Sequence, residues 1–101
     1  MANWIKAAKQ QDIPAGTGVV ADCGETAVAL FNVGGEFHAV QNKCPHRGGP
    51  LGEGELNGQV VTCPWHAWSF DVCSGVNVDN PNSKLACYPV KLENDDVWVE
   101  V

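Results

Sequence analysis

Two short clusters, Cys44-Pro45-His46 and Cys63-Pro64-Trp65-His66, constrain this chain more than anything else in it. Each sets one thiol beside one imidazole, and residues 47–62 lie between the two. Alone, a Cys-x-His is noise and a Cys-x-x-His is weak. Together they read as two loops closing on one metal centre, with a proline after each cysteine and Gly48, Gly49, Gly52 and Gly54 behind the first pair. A structural zinc site usually pairs its cysteines and then its histidines, at other spacings. Here each loop mixes the two residue types. Facing loops can therefore give both sulfurs to one metal ion and both nitrogens to another. A structural zinc module, or another mononuclear site, is the rival reading.

A chain of 101 residues has room for one domain, 1–101, with a thin core, and a metal site is a common staple at that size. The apolar residues follow the period of short strands broken by frequent turn signals, which predicts an all-β fold, an antiparallel sandwich of small sheets. Val28–Val33 and Glu36–Val40 flank Gly34-Gly35, a two-residue hairpin turn. Asn57-Gly58 reads as a second turn, leading into Gln59–Thr62 and folding the two clusters back to face one another. Pro89–Leu92 and Val97–Val101 are joined through Glu93–Asp96, Asn3–Ala7 is an expected edge strand, and a short helical turn is allowed near Lys9–Asp12. Cys, His, Trp, Gly and Pro concentrate in a loop-rich subdomain of about 43–75.

The net charge of -6 argues against a nucleic-acid binder, which needs a basic face. It suits either solubility alone or transient docking on a basic partner. No stretch approaches the ~20 apolar residues of a membrane span. Met1–Lys6 is not followed by the apolar run of a signal peptide, and Arg47, the one arginine, rules out a twin-arginine signal. The expected location is the cytoplasm. Five cysteines cannot all pair, so metal ligands and buried thiols are expected instead.

Cys44-Pro45-His46-Arg47-Gly48-Gly49-Pro50-Leu51 and Cys63-Pro64-Trp65-His66 resemble the two cluster-binding boxes of the Rieske family. In that family two histidines replace two cysteines on one iron of a [2Fe–2S] cluster. The resemblance continues through Phe70-Asp71-Val72-Cys73-Ser74-Gly75 and Tyr88-Pro89-Val90-Lys91, so it covers most of the chain. It is shared with the ferredoxins of bacterial Rieske oxygenase systems and with the small subunit of NADH-dependent nitrite reductase. It implies three small antiparallel sheets with the cluster at the tip of the subdomain, held by Cys44, His46, Cys63 and His66. It also implies histidines bound through Nδ1, with their edges near solvent. Leu51 is expected to cover the cluster, and Pro81 matches a third loop that closes over it.

The departures are informative. Rieske proteins of cytochrome bc complexes carry an extra, disulfide-bonded cysteine in each box. The corresponding residues here are Gly49 and Trp65, so no such bridge forms. That branch also resembles a pattern with a serine and a tyrosine two and four residues after the second histidine, whose hydroxyls raise the potential. Trp68 and Phe70 stand there instead. The expected potential is at the low end of the roughly −150 to +300 mV Rieske range.

Other candidates carry blander readings. His38 lies in a strand with no cysteine nearby in sequence and reads as a surface or half-buried histidine. Cys23, Cys73 and Cys87 read as buried small hydrophobes, with a Cys73–Cys87 disulfide the less favoured alternative. Trp65 and Trp68 are either packing or a contact patch, Arg47 a partner for Glu53 or Glu55, and Trp4 and Trp98 structural. No nucleophile–base pair and no glycine-rich phosphate loop stands out, so the chain is expected to be no enzyme by itself. The expectation is a monomeric one-electron carrier between a flavin-dependent, NAD(P)H-fed reductase and a terminal oxygenase. The alternative is the small subunit of a nitrite reductase, bound to its large subunit.

Overall fold

The computed structural model describes residues 4–23, 26–43, 49–64, 68–80 and 82–101. In chain order the strands are β1 (Trp4–Lys9), β2 (Thr17–Cys23), β3 (Thr26–Val33), β4 (Glu36–Gln41), β5 (Glu55–Asn57), β6 (Val60–Thr62), β7 (Ser69–Asp71), β8 (Cys87–Tyr88), β9 (Val90–Glu93) and β10 (Asp96–Glu100). One-turn 3-10 segments occupy Gln10–Asp12 and Leu51–Glu53. The strands make three antiparallel sheets, ordered β1-β10-β9, β2-β3-β4-β8 and β5-β6-β7, as the all-β expectation required.

Strand β3 explains the layering. Successive side chains of a strand point to opposite faces. Ala29 and Phe31 accordingly enter one apolar cluster with Leu51, Val61 and Phe70, while Val28 and Leu30 enter another with Ile13, Val97 and Val99. The four-stranded sheet is therefore the middle layer, with a three-stranded sheet packed on each face. Complete burial of Phe31 and Leu30 stabilises the fold by roughly 1.5–3 kcal/mol each.

The turns follow backbone chemistry more narrowly than the sequence suggested. Gly34 and Gly35 both have positive φ, +59° and +99°, the signature of a type I′ hairpin whose twist matches its strands. At the second hairpin Asn57 pairs with Val60, so the loop is Gly58-Gln59 and not Asn57-Gly58. Only Gly58, at φ +64°, is left-handed, and Asn57 stays in the ladder. At the third, Glu93 and Asp96 pair with each other. The turn contracts to Asn94 and Asp95, whose short polar side chains tolerate φ of +53° and +68°. Strand β1 is a sheet edge, as expected, and runs on to Lys9 through an irregularity between Lys6 and Ala8. Asn3 lies outside the described residues.

Candidate metal centre

The sheet β5-β6-β7 is too short to bury much by itself, and its work is to hold loops. The first box leaves β4 through Asn42 and Lys43. Lys43 bridges to Pro50, and Asn42 takes the next two donors: its backbone carbonyl accepts from Leu51 N–H at 2.7 Å and its Oδ1 from Gly52 N–H at 2.8 Å. Both ends of the segment carrying Cys44 and His46 are thus tied at the base. The second box is tied likewise. Cys63 donates its N–H to the Trp68 carbonyl at 2.7 Å, and Thr62 pairs with Ser69, their hydroxyl oxygens 3.1 Å apart. The two bases are adjacent, because Gly54 N–H bonds the Leu51 carbonyl and a Cβ on Gly54 would lie 2.3 Å from the Thr62 oxygen.

Cys63 is buried with Leu51, Val61, Phe70 and Val72, an apolar surround that keeps water from its sulfur. Leu51, expected to cover the centre, is fully buried in this same cluster. Trp68 is half-buried against it, its ring 6.4 Å from that of Phe70 and tilted by 45°. Cys44, His46, Arg47, Trp65, His66 and Pro81 lie outside the described residues.

Asn77 was not singled out from the sequence. This buried residue accepts the N–H groups of Asp79 (2.8 Å) and Asn80 (3.1 Å) on Oδ1. Its own N–H bonds Ser83 O, and the next N–H, of Val78, bonds Ser69 O at 3.0 Å. Asn77 thereby shapes a third loop and fastens it beside the second box, around a cavity of about 210 Å³ lined by Trp68, Asn77, Asp79 and Asn80. The available signal was an asparagine followed by further turn formers, the pattern of an Asx-turn.

Among the three remaining cysteines, Cys23 is buried as expected, whereas Cys73 and Cys87 are exposed, which corrects the reading of all three as buried hydrophobes. Cys73 sits on a turn built by Asp71, whose Oδ1 accepts the N–H groups of Cys73 and Ser74. Its thiol therefore faces out, 3.4 Å from His38 Nε2. Cys73 and Cys87 are both free thiols, with no disulfide between them. Burial opposes the Asp71 charge. Hydrogen bonds from Gln59 and from the Cys73 and Ser74 backbone, with His38 nearby, outweigh it and hold the carboxyl below its ordinary value.

Two thiols and two imidazoles on paired loops suit a two-iron cluster: thiolates saturate one iron and neutral nitrogens the other. The dry surround of Cys63 fits the sulfur side of such a group.

A Rieske [2Fe-2S] domain model matches residues 3–89. The ferredoxin component of the naphthalene 1,2-dioxygenase/salicylate 5-hydroxylase systems of Ralstonia sp. is 39% identical over 98% of this chain and 96% of its own. A chain from the complex of reduced oxygenase and oxidized ferredoxin in carbazole 1,9a-dioxygenase superposes with a TM-score of 0.87 at 31% identity, covering 96% of this chain and 92% of that one. A structure described as an NADH-dependent nitrite reductase small subunit from Mycobacterium tuberculosis gives a TM-score of 0.90 at 25% identity, over 100% and 96%. The chain belongs to the Rieske [2Fe–2S] family. The cofactor of this chain is accordingly one Rieske-type cluster. No helix among the described residues is long and apolar enough to cross a membrane.

Proposed function

We propose that this chain is the ferredoxin of a multicomponent oxygenase system, passing single electrons from an NAD(P)H-dependent flavin reductase to a terminal oxygenase. Cys44 and Cys63 would hold one iron of the cluster, and His46 and His66 the other. When bound, the cluster supplies reversible one-electron chemistry at a potential set by its ligands and surroundings. The protein's own part is to tie both box segments at their bases and to keep the Cys63 sulfur dry. The observation that carries the reading is the adjacency of the bases of the two Cys/His segments, at Leu51–Gly54 and Thr62–Cys63, reinforced by near full-length similarity to an oxygenase-system ferredoxin component. The region of about 43–75 acts as the cluster-binding subdomain of one domain, and the carrier works as a monomer in the cytoplasm.

The test is spectroscopic. The purified protein is expected to be red-brown and, after dithionite, to give a rhombic low-temperature EPR signal with average g below 2. Single substitutions Cys44→Ser, His46→Ala, Cys63→Ser or His66→Ala should each abolish it. A colourless protein that stays EPR-silent after iron–sulfide reconstitution would refute the carrier role.

The superposition on the nitrite reductase small subunit favours a second reading, a lasting complex with a large reductase subunit. Stable co-purification with such a subunit decides for it, and a freely exchanging monomer decides for the ferredoxin.

A further inference from the structure

The sheet β1-β10-β9 ends on β9, and among the described residues no strand pairs with the outer side of that strand. The hairpin fixes which backbone groups this edge leaves free. Pro89 O accepts the Glu100 N–H at 3.0 Å. Hydrogen-bonded and non-bonded pairs alternate along an antiparallel ladder, so Lys91 with Trp98 and Glu93 with Asp96 are the bonded pairs that follow. Leu92 falls between them. Its N–H and C=O therefore point out of the sheet edge, where no backbone group of another described segment bonds them. Its side chain is also open, with Leu92 47% exposed, although Val97 opposite it is fully buried. Lys91 and Glu93 stand on the other face of the sheet, both exposed, with their charged atoms 3.7 Å apart.

We infer that β9 is a self-association edge, on which a second copy of this chain lays its own β9 antiparallel, about a two-fold axis through Leu92. The segment Lys91-Leu92-Glu93 is its own complement in that arrangement. In an antiparallel pair centred on Leu92, the two Leu92 residues exchange both backbone hydrogen bonds and cover each other's exposed side chains. Lys91 of each copy then stands directly opposite Glu93 of the other, at a non-bonded position where side chains come closest. Charge on an edge strand ordinarily guards it by repelling another strand. Here the two charges flanking the apolar residue have opposite signs, so self-pairing makes two ion pairs instead. The pairing stops at Asn94, which is left-handed at φ +53° and leaves the strand.

Three paired residues bury much less than the roughly 1,200 Å² of a stable interface. The association is therefore reversible and fills only as concentration rises, and the dilute chain is the monomer already proposed. β9 belongs to the sheet on the far side of the middle layer from β5-β6-β7, so pairing leaves the bases of the two boxes uncovered. The inference stands on the edge alone and does not depend on the electron-carrier reading.

The test is sedimentation equilibrium of the iron-loaded protein from about 10 μM to about 1 mM. It is run at physiological salt, where repulsion between two chains of net charge -6 is screened beyond about 8 Å. The average mass should rise from 10.8 kDa toward twice that value, and exchange of the Leu92 amide, followed by nitrogen-15 NMR, should slow over the same range. Glu93→Lys and Lys91→Glu each set like charges opposite one another and should weaken association about fivefold. The two substitutions together restore the match and should recover it, which a purely intrachain role for either residue would not do. If Lys91→Glu fails to fold, having lost the contact of Lys91 Nζ with the Trp4 ring at 4.7 Å, then Glu93→Lys and the Leu92 amide decide. A mass that stays constant to the highest concentration overturns the inference. Association that the single variants leave unchanged, or that proceeds without slowing Leu92 exchange, also overturns it, because the copies then meet on another surface.

Discussion

The backbone of Gly54 runs so close to the Thr62 carbonyl that a Cβ on Gly54 would lie 2.3 Å from its oxygen. This is where the segment leaving the first box crosses the strand entering the second, so hydrogen at this position is a condition for the two boxes to be neighbours. Gly54→Ala is expected to destabilise the protein by about 1–3 kcal/mol, through displacement of one backbone from the other. At roughly 4–8 °C per kcal/mol for a chain of this size, thermal unfolding should show it clearly. Iron should also be lost sooner than in the parent protein, which visible absorbance during heating records.

Phe70 is fully buried in the apolar cluster that also contains Cys63. It offers no hydroxyl to the centre, and neither does Trp68. The midpoint potential is expected at the low end of the roughly −150 to +300 mV Rieske range, which a redox titration measures. Phe70→Tyr should raise it. A hydrogen bond to a charged group contributes about 1.5–3 kcal/mol, and about 1.4 kcal/mol corresponds to 59 mV for one electron, so the rise should be on the order of 60–120 mV. An unchanged midpoint in a correctly folded variant would show that the new hydroxyl makes no bond to the cluster.

Asp71 organises the turn beneath Cys73 by accepting from Gln59 Nε2 at 2.6 Å and from two backbone N–H groups. Folding holds its carboxyl below the ordinary aspartate value of about 3.9. Its contribution is therefore complete above that value and is lost as pH falls through the lower value of the folded state. Asp71→Asn should be less stable than the parent at neutral pH, and the difference should shrink as pH falls from about 6 to about 3. Denaturant unfolding of both proteins across that window checks the sign.

The three cysteines outside the boxes should react in two classes. Cys73 and Cys87 are exposed, and Cys23 is 1% exposed. All three thiols are pushed upward, by burial first and then by neighbouring acidic groups. Iodoacetamide at neutral pH should modify Cys73 and Cys87 more slowly than a free cysteine, and Cys23 not at all in the native protein. The rates for the first two should climb with pH beyond about 8.5, where an ordinary thiol levels off. Peptide mass spectrometry resolves each site.

Strand content and the double-glycine hairpin were legible in the sequence because period-two alternation and left-handed turn residues are local properties. The turn at Gly58-Gln59 was placed one residue early because Asn-Gly suits a two-glycine-like turn. The β5–β6 register instead keeps Asn57 paired with Val60. Cys73 and Cys87 were read as buried because a lone cysteine most often is. Their exposure comes from an Asp71-capped turn and from a short strand added at a sheet edge.

The sequence by itself pointed to the chemistry, since two mixed Cys/His pairs, the first followed by glycines, offer a donor set whatever the surrounding fold. It also determined the all-β architecture, because strand period and turn residues act over a few neighbours. Only the tertiary structure decided which parts meet. It set Gly54 against Thr62, tied the third loop through Asn77 and gathered His38, Cys73 and Cys87 around one seam. Those contacts join segments far apart in the chain. They depend on how the three sheets stack, around Phe31 and Phe70 on one face of the middle sheet and Leu30 on the other, which no local pattern of residues encodes.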